Sequence, residues 1–299
     1  MNLRRTHESP LVFDIILVCV AIFGFVIAQK SFLEAGWWNI VGICAIIGEC
    51  ILLYGSCIEP RCIVVKKYRE ALIPHPAEWV RVLFFSDFHA GGYKSAAWYA
   101  RVVEKAKTLD ADIIIMGGDY VVDISTPIKD LGAFATLKGK IGKYYVMGNH
   151  DLVDHPAEIR DALETWGYIC IEKKILRLEK QGRSFDLAGI SDPWFDDARI
   201  PKRQDADMPH ITISHEPDVL MDYVGGETDL MLCGHTHGGQ IRFPIIGPMV
   251  IPTRIGRGLD RGRKVFHKIT CIISPGLGES DIRARLLNPP SIVCVDIGV

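Results

Sequence analysis

Short apolar runs rich in Val and Ile recur from about Cys62 to the end of the chain, and polar, helix-like stretches separate them. This alternation is typical of an α/β fold, in which helices join buried strands. It predicts helices at Lys94–Leu109, with Ser95 as the cap, and at Ala157–Trp166. It predicts strands at Val80–Phe85, Asp112–Met116, Lys143–Met147, Phe185–Ile190, His210–Ser214, Asp229–Cys233, Ile269–Ser274 and Ser291–Asp296.

Asp, Asn and His residues come directly after five of these strands. Ligands gather at the carboxyl ends of the strands in an open α/β sheet, so the five strand ends predict one shared site. Glycines precede several of these residues, and a glycine lets the backbone turn sharply enough for side chains to converge. The polar residues are Asp87, His89, Asp119, Asn149, His150, Asp151, His215, His235 and His237.

Each motif is weak by itself. Asp87-Phe88-His89 alone is more typical of a surface turn, and Gly-Asp and Gly-Asn pairs are common turn residues. His235-Thr236-His237 is more indicative, because alternate residues of an extended segment can face one ion. All the motifs together, in this order and each behind an apolar strand, predict a metal site.

The set resembles the calcineurin-like metallophosphoesterase superfamily over about residues 60–299. The motifs that carry the resemblance are Asp87-Phe88-His89, Gly118-Asp119, Gly148-Asn149-His150-Asp151, His215 and Gly234-His235-Thr236-His237. Three further segments are most similar to a membrane-associated bacterial branch that resembles UDP-2,3-diacylglucosamine pyrophosphatases. They are Gly234–Gln240, Ile58-Glu59-Pro60 and Gly276-Leu277-Gly278.

Two positions depart from the family pattern. The acid after Gly118-Asp119 is Asp123, one residue later than in the family's Gly-Asp-x-x-Asp form, which leaves metal ligation intact. Pro275 stands where related sequences often have Arg or Asn, so a substrate contact is in doubt.

The resemblance implies a β-sandwich flanked by helices and a centre of two divalent metal ions. Asp87, His89 and His237 would hold one ion, and Asn149, His215 and His235 would hold the other. Asp119 would bridge the two ions. Mixed oxygen and nitrogen ligands suit Mn²⁺, Fe or Zn²⁺, with Mn²⁺ favoured.

The family chemistry is phosphoester hydrolysis by a metal-activated hydroxide that attacks phosphorus. The resemblance assigns His150 to stabilise the developing charge or to protonate the leaving group, and Asp151 to orient His150. Arg283 and Arg285 are candidate phosphate contacts, with ordinary surface charges as the alternative.

Several other residues have simpler readings. The apolar segment Ile245–Pro252 could line a lipid-binding rim, although a packed loop is the expected arrangement. Cys233 is expected in the core. Structural or surface roles are expected of the remaining histidines, His75, His155, His210 and His267.

Two apolar stretches, Leu11–Ala28 and Trp37–Tyr54, precede the α/β pattern. As helices of 18 residues, each would span about 27 Å, close to the roughly 30 Å of a bilayer's hydrocarbon core. Asp14 and Glu49 lie close enough to helix ends to reach the interface. A cleaved signal peptide fits poorly, because no small-residue cleavage site follows the first stretch. A transmembrane hairpin linked by Gln29–Gly36 is predicted.

Basic residues flank the hairpin at Arg4, Arg5, Arg61, Lys66, Lys67 and Arg69, whereas the link holds only Lys30. The positive-inside rule therefore predicts that both ends face the cytoplasm. The predicted organisation is a membrane hairpin over residues 1–58 and a metallophosphoesterase domain over residues 59–299.

The net charge of −2 and the pI near 6.5 disfavour nucleic acid as the main partner. The nine cysteines include no CxxC pair, so neither a disulfide framework nor a structural zinc site is indicated.

The leading hypothesis is hydrolysis of a lipid-linked phosphodiester or pyrophosphate, such as UDP-2,3-diacylglucosamine, at the inner face of a bacterial inner membrane. The alternatives are a soluble substrate (a nucleotide, a cyclic dinucleotide or a phosphoprotein) and an inactive membrane scaffold. The intact ligand set argues against the scaffold.

Overall fold

A computed structural model describes residues 10–34, 37–122, 128–153, 156–196, 199–223 and 225–299. Arg4, Arg5, Asp123 and His155, which entered the sequence predictions, lie outside these ranges.

Strands within the described residues form two six-stranded sheets and one short hairpin. The first sheet has the order β1 (Val64–Ala71), β14 (Ser291–Gly298), β2 (Trp79–Phe85), β3 (Ile113–Gly117), β4 (Gly142–Val146) and β5 (Ile169–Cys170). The second has the order β12 (Gly262–Phe266), β13 (Ile269–Ile273), β9 (Leu230–Cys233), β8 (His210–Ile213), β7 (Arg183–Gly189) and β6 (Ile175–Lys180). The hairpin joins β10 (Arg242–Phe243) to β11 (Gly247–Pro248).

The two sheets stack face to face, as the alternation of side chains along β2 illustrates. Val82 and Phe84 point into the space between the sheets, where Phe185 and Ile211 of the second sheet meet them. Leu83 points the other way, into a cluster with the helices that cover the first sheet. Because neighbouring strand residues face opposite sides, one apolar run supplies two cores. The predicted β-sandwich flanked by helices is confirmed.

The helices over the first sheet are α3 (Ala96–Lys107) and α5 (Pro156–Thr165), both close to their predicted bounds. The Ser95 side chain accepts a hydrogen bond from the Trp98 backbone N–H at 3.3 Å, as expected of an N-cap. A short helix that was not predicted, α4 (Asn149–Val153), begins at a predicted metal ligand.

All eight predicted strands are present within two residues of their predicted bounds, but β1, β5, β6, β10, β11 and β12 were not predicted. The missed strand β1 shows the reason. Its sequence, VVKKYREA, contains four charged residues, and it is a strand because it pairs in parallel with β14 at the sheet edge. Its stability comes from that pairing rather than from an apolar run.

At the N-terminus, α1 (Pro10–Glu34) and α2 (Trp38–Leu53) pack against each other. Both are long and apolar enough to cross a membrane, over Asp14–Ser31 and over Trp38–Arg61, where a wider turn at Tyr54–Ile58 extends α2. The predicted link at Gln29–Gly36 is too long, because α1 continues to Glu34 without a Gly or Pro to end it.

The acids of the two helices, Asp14 and Glu49, have different surroundings. The Asp14 carboxylate forms an ion pair with the Arg283 guanidinium, which lies between β13 and β14, at 2.8 Å. The Glu49 carboxylate lies against Gly24 of α1, where a Cβ atom would be 2.1 Å from Glu49 Oε1. That oxygen is buried without a hydrogen-bond partner among the described residues. The Glu49 side chain therefore turns toward the neighbouring helix, and its access to a membrane interface stays a prediction.

Candidate metal centre

Loops after β2, β3, β4, β8 and β9 meet at one edge of the sandwich. The loop after β9 contacts the loop after β2, because the His235 N–H donates to Asp87 Oδ1 at 2.8 Å. The loop after β8 contacts β3, because His215 Nδ1 donates to the Gly117 carbonyl at 2.7 Å. Each loop follows the carboxyl end of a parallel strand, and the two sheets present those ends on the same side.

One group of candidate ligands comprises Asp87, His89 and His237, which are all buried. The Nε2 atoms of His89 and His237 are 3.0 Å apart, and His237 Nε2 is 3.6 Å from Asp87 Oδ1. Two imidazole nitrogens bound to one ion at about 2.1 Å and at right angles to each other would be about 3.0 Å apart. The spacing therefore suits two ligands of one cation.

A second group comprises Asp119, His215 and His235, with Asn149 beside them. Asp119 Oδ2 is 3.1 Å from His215 Nε2 and 3.6 Å from His89 Nε2, so this carboxylate lies between the two groups. The Asn149 Oδ1 atom is 3.1 Å from His235 Nδ1. The structure thus brings together all seven residues that the sequence predicted as metal ligands.

The backbone is strained at five of these seven residues. Asp87, His89, Asp119, His235 and His237 have φ between 45° and 66°, the left-handed region that residues with a Cβ atom rarely adopt. Each such residue costs of order 1–3 kcal/mol, and such strain clusters at functional sites where the surroundings enforce it. The sequence contains no signal for these backbone angles.

Two glycines make the close approach of the loops possible. At Gly118, whose φ is +94°, a Cβ atom would be 2.6 Å from the Gly148 nitrogen and 2.7 Å from His215 Nδ1. At Gly148, a Cβ atom would be 2.3 Å from Asp119 Oδ1. The glycine before each ligand therefore leaves space for a side chain of the opposite loop.

His150 and Asp151 follow Asn149 but have different surroundings. The His150 ring lies edge-on to His89, with ring centroids 4.8 Å apart, and the His150 N–H donates to Asp119 Oδ1 at 3.0 Å. The Asp151 carboxylate is buried and accepts from the N–H groups of Asp119, Tyr120 and Gly148 at 2.7–2.9 Å. The Asp151 oxygens thus hold the loop backbones together, and the role of Asp151 in orienting His150 stays a prediction.

Burial and mutual proximity shift the pKa values of the candidate ligands. Burial raises the pKa of Asp87 to about 6, and burial together with His215 lowers the pKa of His235 to about 4. Burial also opposes ionisation of Asp119, but the adjacent His215 and His150 outweigh it and hold the Asp119 pKa well below its usual range. A bound cation would favour the carboxylates and the neutral imidazoles at once.

The donor set fits divalent cations. His215 Nδ1 is committed to a backbone carbonyl, which leaves Nε2 for a metal, and this is the usual arrangement of metal-bound histidines. His215 Nε2 and His237 Nδ1 are buried without a hydrogen-bond partner among the described residues. Carboxylate, amide and imidazole ligands together suit Mn²⁺, Fe or Zn²⁺.

Two buried acids near the centre escaped the sequence analysis. Glu216 Oε1 is 3.6 Å from His235 Nε2, and burial raises the Glu216 pKa to about 8. Asp192, which follows β7, accepts from the Trp194 N–H, and burial raises its pKa to about 6. Both follow a strand of the second sheet, so the strand-end rule could have included them.

The two arginines are paired with residues other than the candidate ligands. Arg283 is paired with Asp14 on α1. Arg285 is fully buried, where it pairs with Glu279 at 3.2 Å and donates to the carbonyls of Pro275 and Asn288. The interpretation of Arg285 as a surface charge or phosphate contact is wrong, because its guanidinium is committed to the protein interior.

The other histidines are not among the clustered ligands. His75 is exposed, and His267 is exposed and donates to the Tyr223 carbonyl. His210 is buried in β8, with Asp186 at 4.0 Å and no hydrogen-bond partner for either ring nitrogen among the described residues. Cys233 lies in the core beside Cys271, as expected.

The β10–β11 hairpin and the residues after it differ from the expected packed loop. Ile245 is fully exposed, and Ile246, Met249 and Val250 are 55–75% exposed. The segment begins just after the histidine motif, and Gly239 of that motif lies against Pro248 and the Val250 backbone. The packed-loop expectation is wrong, because the short β10–β11 pairing holds these apolar side chains out of the core.

A family comparison agrees with this arrangement. The model of the calcineurin-like phosphoesterase family matches residues 80–239, which include all seven candidate ligands. The chain belongs to this family and is an enzyme that hydrolyses phosphoester bonds.

Relatives of the chain are bacterial and eukaryotic. Phosphodiesterase YaeI of Escherichia coli is 27% identical over 74% of this chain and 83% of its own length. The uncharacterized metallophosphoesterase YkuE of Bacillus subtilis is 26% identical over 80% of this chain and 87% of its own length. A transmembrane protein with a metallophosphoesterase domain from Danio rerio is 25% identical over 83% of this chain and 60% of its own length.

Proposed function

We propose that the protein is a membrane-anchored phosphoesterase with two divalent metal ions, acting on a lipid-linked phosphodiester or pyrophosphate. Residues 1–58 would form the anchor and residues 59–299 the catalytic domain. The observation that carries the chemistry is the convergence of seven oxygen- and nitrogen-bearing side chains from five strand ends.

Asp87, His89 and His237 would hold one ion, Asn149, His215 and His235 the other, and Asp119 both. Two such ions supply a water-derived nucleophile at neutral pH and neutralise the phosphoryl oxygens. Asp119 suits the shared position because its Oδ2 lies within 3.6 Å of a histidine from each group.

The protein's own groups prepare this chemistry. Gly117, through its carbonyl, fixes the tautomer of His215 so that Nε2 faces inward. The Asp151 carboxylate accepts hydrogen bonds from three backbone N–H groups of the loops after β3 and β4. These bonds keep the two loops in register, so that Asp119 and Asn149 stay aligned. His150 is half-buried at the edge of the cluster, a position that suits proton donation to a leaving oxygen.

The apolar helices and the exposed apolar hairpin support a substrate in a membrane. α1 and α2 are long enough to span a bilayer, and the Danio rerio relative is named a transmembrane protein. Ile245, Ile246 and Val250 extend from the chain beside the candidate ligands, where they could enter the lipid around a substrate headgroup. UDP-2,3-diacylglucosamine, in a bacterial inner membrane, has the required combination of acyl chains and a pyrophosphate. We propose a cytoplasmic catalytic face.

The test uses the detergent-solubilised full chain, its metal content and two substrates. We expect two Mn²⁺, Fe or Zn²⁺ ions per chain, with turnover of UDP-2,3-diacylglucosamine and of a chromogenic phosphodiester. Asn149→Ala should lower turnover of both by about 100-fold or more, because the loss of one ligand weakens the metal centre. Among the described residues, Asn149 Oδ1 forms a hydrogen bond with His235 alone, so the fold should survive.

A control separates catalysis from folding. Arg183→Gln changes an exposed residue of β7 in the second sheet and should leave both activities unchanged. Turnover by a metal-free preparation would refute the two-metal chemistry. Turnover of soluble nucleotides, with none of the lipid, would instead favour the soluble-substrate alternative.

A further inference from the structure

A cavity of about 190 Å³ lies between the end of α2 and the start of α3, apart from the candidate metal centre. None of the seven candidate metal ligands lines it. The residues that bear on its chemistry are Ser56, Arg61, Lys94, Trp98, Glu279 and Arg283.

Two buried hydrogen-bond donors in its wall have no partner among the described residues. They are the Ser56 hydroxyl and the Trp98 indole N–H, in side chains that are 2% and 7% exposed. An unpaired buried donor costs about 1–3 kcal/mol, so two in one cavity call for an explanation. A bound molecule that accepts from both donors would remove this cost.

The charge of the wall favours an anion, because Lys94 is paired with Glu279 and Arg283 with Asp14, which leaves the charge of Arg61. Glu279 is already engaged, with Lys94 Nζ at 2.9 Å and with the buried Arg285 at 3.2 Å. Arg61 donates to the Cys57 carbonyl and forms no ion pair with a described carboxylate. Its positive charge is therefore available to a ligand.

The start of α3 adds to this preference. Ser95, the N-cap of the helix, lines the cavity. The first N–H groups of an α-helix have no partner within the helix, and its N-terminus carries a partial positive charge. A phosphate oxygen is a usual acceptor for such groups.

Glu279 adds a condition on the ligand. Its Oε2 atom is buried without a hydrogen-bond partner among the described residues. A hydroxyl group on the same ligand would donate to this oxygen. The wall thus suits a phosphate group that carries a neighbouring hydroxyl.

The location of the cavity indicates where such a ligand comes from. Ser56 lies in the turn that extends α2, and Arg283 is paired with Asp14 near the start of α1. The cavity therefore lies where both candidate spans meet the catalytic part, which is the depth of lipid phosphates if the helices cross a bilayer.

We propose that this cavity binds the phosphate of an anionic lipid headgroup, such as that of phosphatidylglycerol. The proposal rests on the membrane attachment in the proposed function, and it does not depend on the metal chemistry. The bound lipid would fix the catalytic part at a constant height above the membrane.

The test is native mass spectrometry of the full chain in detergent, titrated separately with phosphatidylglycerol, phosphatidylcholine and inorganic phosphate. We expect one phosphatidylglycerol per chain and weaker binding of phosphatidylcholine. Ser56→Ala, Trp98→Phe and Arg61→Gln should each weaken binding about tenfold, the effect of one hydrogen bond to a charged group. Arg183→Gln is the matched control for the arginine and should bind like the wild type.

Thermal unfolding without lipid distinguishes a binding role of Ser56 from a structural one. Because its hydroxyl has no hydrogen-bond partner within the described part of the chain, Ser56→Ala should not lower the unfolding temperature, although it weakens binding. A lower unfolding temperature with unchanged binding would contradict the proposal.

The remaining outcomes decide whether the ligand is a lipid and whether the cavity is a binding site. The protein could instead bind inorganic phosphate but not the lipid, with phosphate binding weakened by the three substitutions. That result would support an anion site in the cavity and overturn the proposal that its ligand is a lipid. Equal lipid binding by all variants would overturn the site itself. Asn149→Ala should bind phosphatidylglycerol like the wild type, so failure of the metal chemistry remains distinguishable from failure of this proposal.

Discussion

The loop with His235 and His237 and the β10–β11 hairpin adjoin each other along the chain. Both contain residues with positive φ, but His237 of the loop is buried and Ile245 of the hairpin is exposed. His235 and His237 have positive φ and are held by buried contacts to Asp87 and to Asn288. Ile245 also has positive φ, at 67°, but its side chain is fully exposed.

A β-branched residue in the left-handed region is a clear outlier. At the metal centre, packing on every side explains why the strain persists. At Ile245, the described residues offer no comparable packing, so an apolar surface outside the protein is the simplest reason to retain an isoleucine there. The comparison teaches that similar backbone strain has an internal partner at the metal centre, whereas at Ile245 the proposed partner is external.

Gly118→Ala tests the packing around the strained residues of the metal centre, and it should have the largest effect. A Cβ atom at φ +94° would meet the Gly148 backbone and the His215 ring at 2.6–2.8 Å. We expect a loss of about 3–5 kcal/mol in the free energy of unfolding, from backbone strain together with overpacking. Metal content should fall with it, and both can be measured by thermal unfolding and by metal analysis.

Gly132→Ala is the matched control, because φ at Gly132 is not positive and nothing lies within 4 Å of the added Cβ atom. An unfolding temperature for Gly118→Ala equal to that of this control would show that the loops after β3 and β4 can move apart.

Ile245→Asp tests whether the exposed hairpin enters lipid, and it should have an intermediate effect. Aspartate tolerates positive φ better than isoleucine, so stability should stay the same or rise. The KM for a lipid substrate in vesicles should rise about tenfold, since an isoleucine side chain contributes about 1.5–3 kcal/mol when it leaves water. Turnover of a soluble chromogenic phosphodiester should not change.

Val265→Asp provides the comparison, because Val265 is 59% exposed on β12, an edge strand of the second sheet. If both substitutions raise the KM for the lipid equally, general surface polarity is the cause and the hairpin has no special role.

Asp14→Asn should have the smallest effect, and it extends the comparison to the anchor. The Asp14 and Arg283 side chains are 50% and 24% exposed, so their ion pair should contribute no more than about 1 kcal/mol. We expect an unfolding temperature within a few degrees of the wild type and unchanged turnover of the soluble phosphodiester. A large loss of either would mean that the anchor and the catalytic part are tightly coupled.

The predictability of the metal centre differs from ligand to ligand. Asp87, Asp119 and Asn149 were predictable because each follows a buried apolar strand of the first sheet. The hydrogen bonds of Asp151 were not predicted, since a sequence does not reveal that three backbone N–H groups from two loops converge on one carboxylate. Arg285 was misjudged because the loop around it folds back, so that Glu279 and nearby backbone carbonyls surround its guanidinium, and residue type does not reveal that loop conformation.

The sequence by itself determined the class of fold, the positions of the main strands along the chain, the set of candidate ligands and the presence of two apolar helices. These properties depend on residue type and on short-range spacing, which a linear chain contains in full. Only the tertiary structure decided which strands each sheet contains and that five of the candidate ligands have positive φ. It also decided that the hairpin is exposed and that a cationic cavity lies at the end of α2. Such properties arise from contacts between residues far apart in the chain, and local pattern does not encode those contacts.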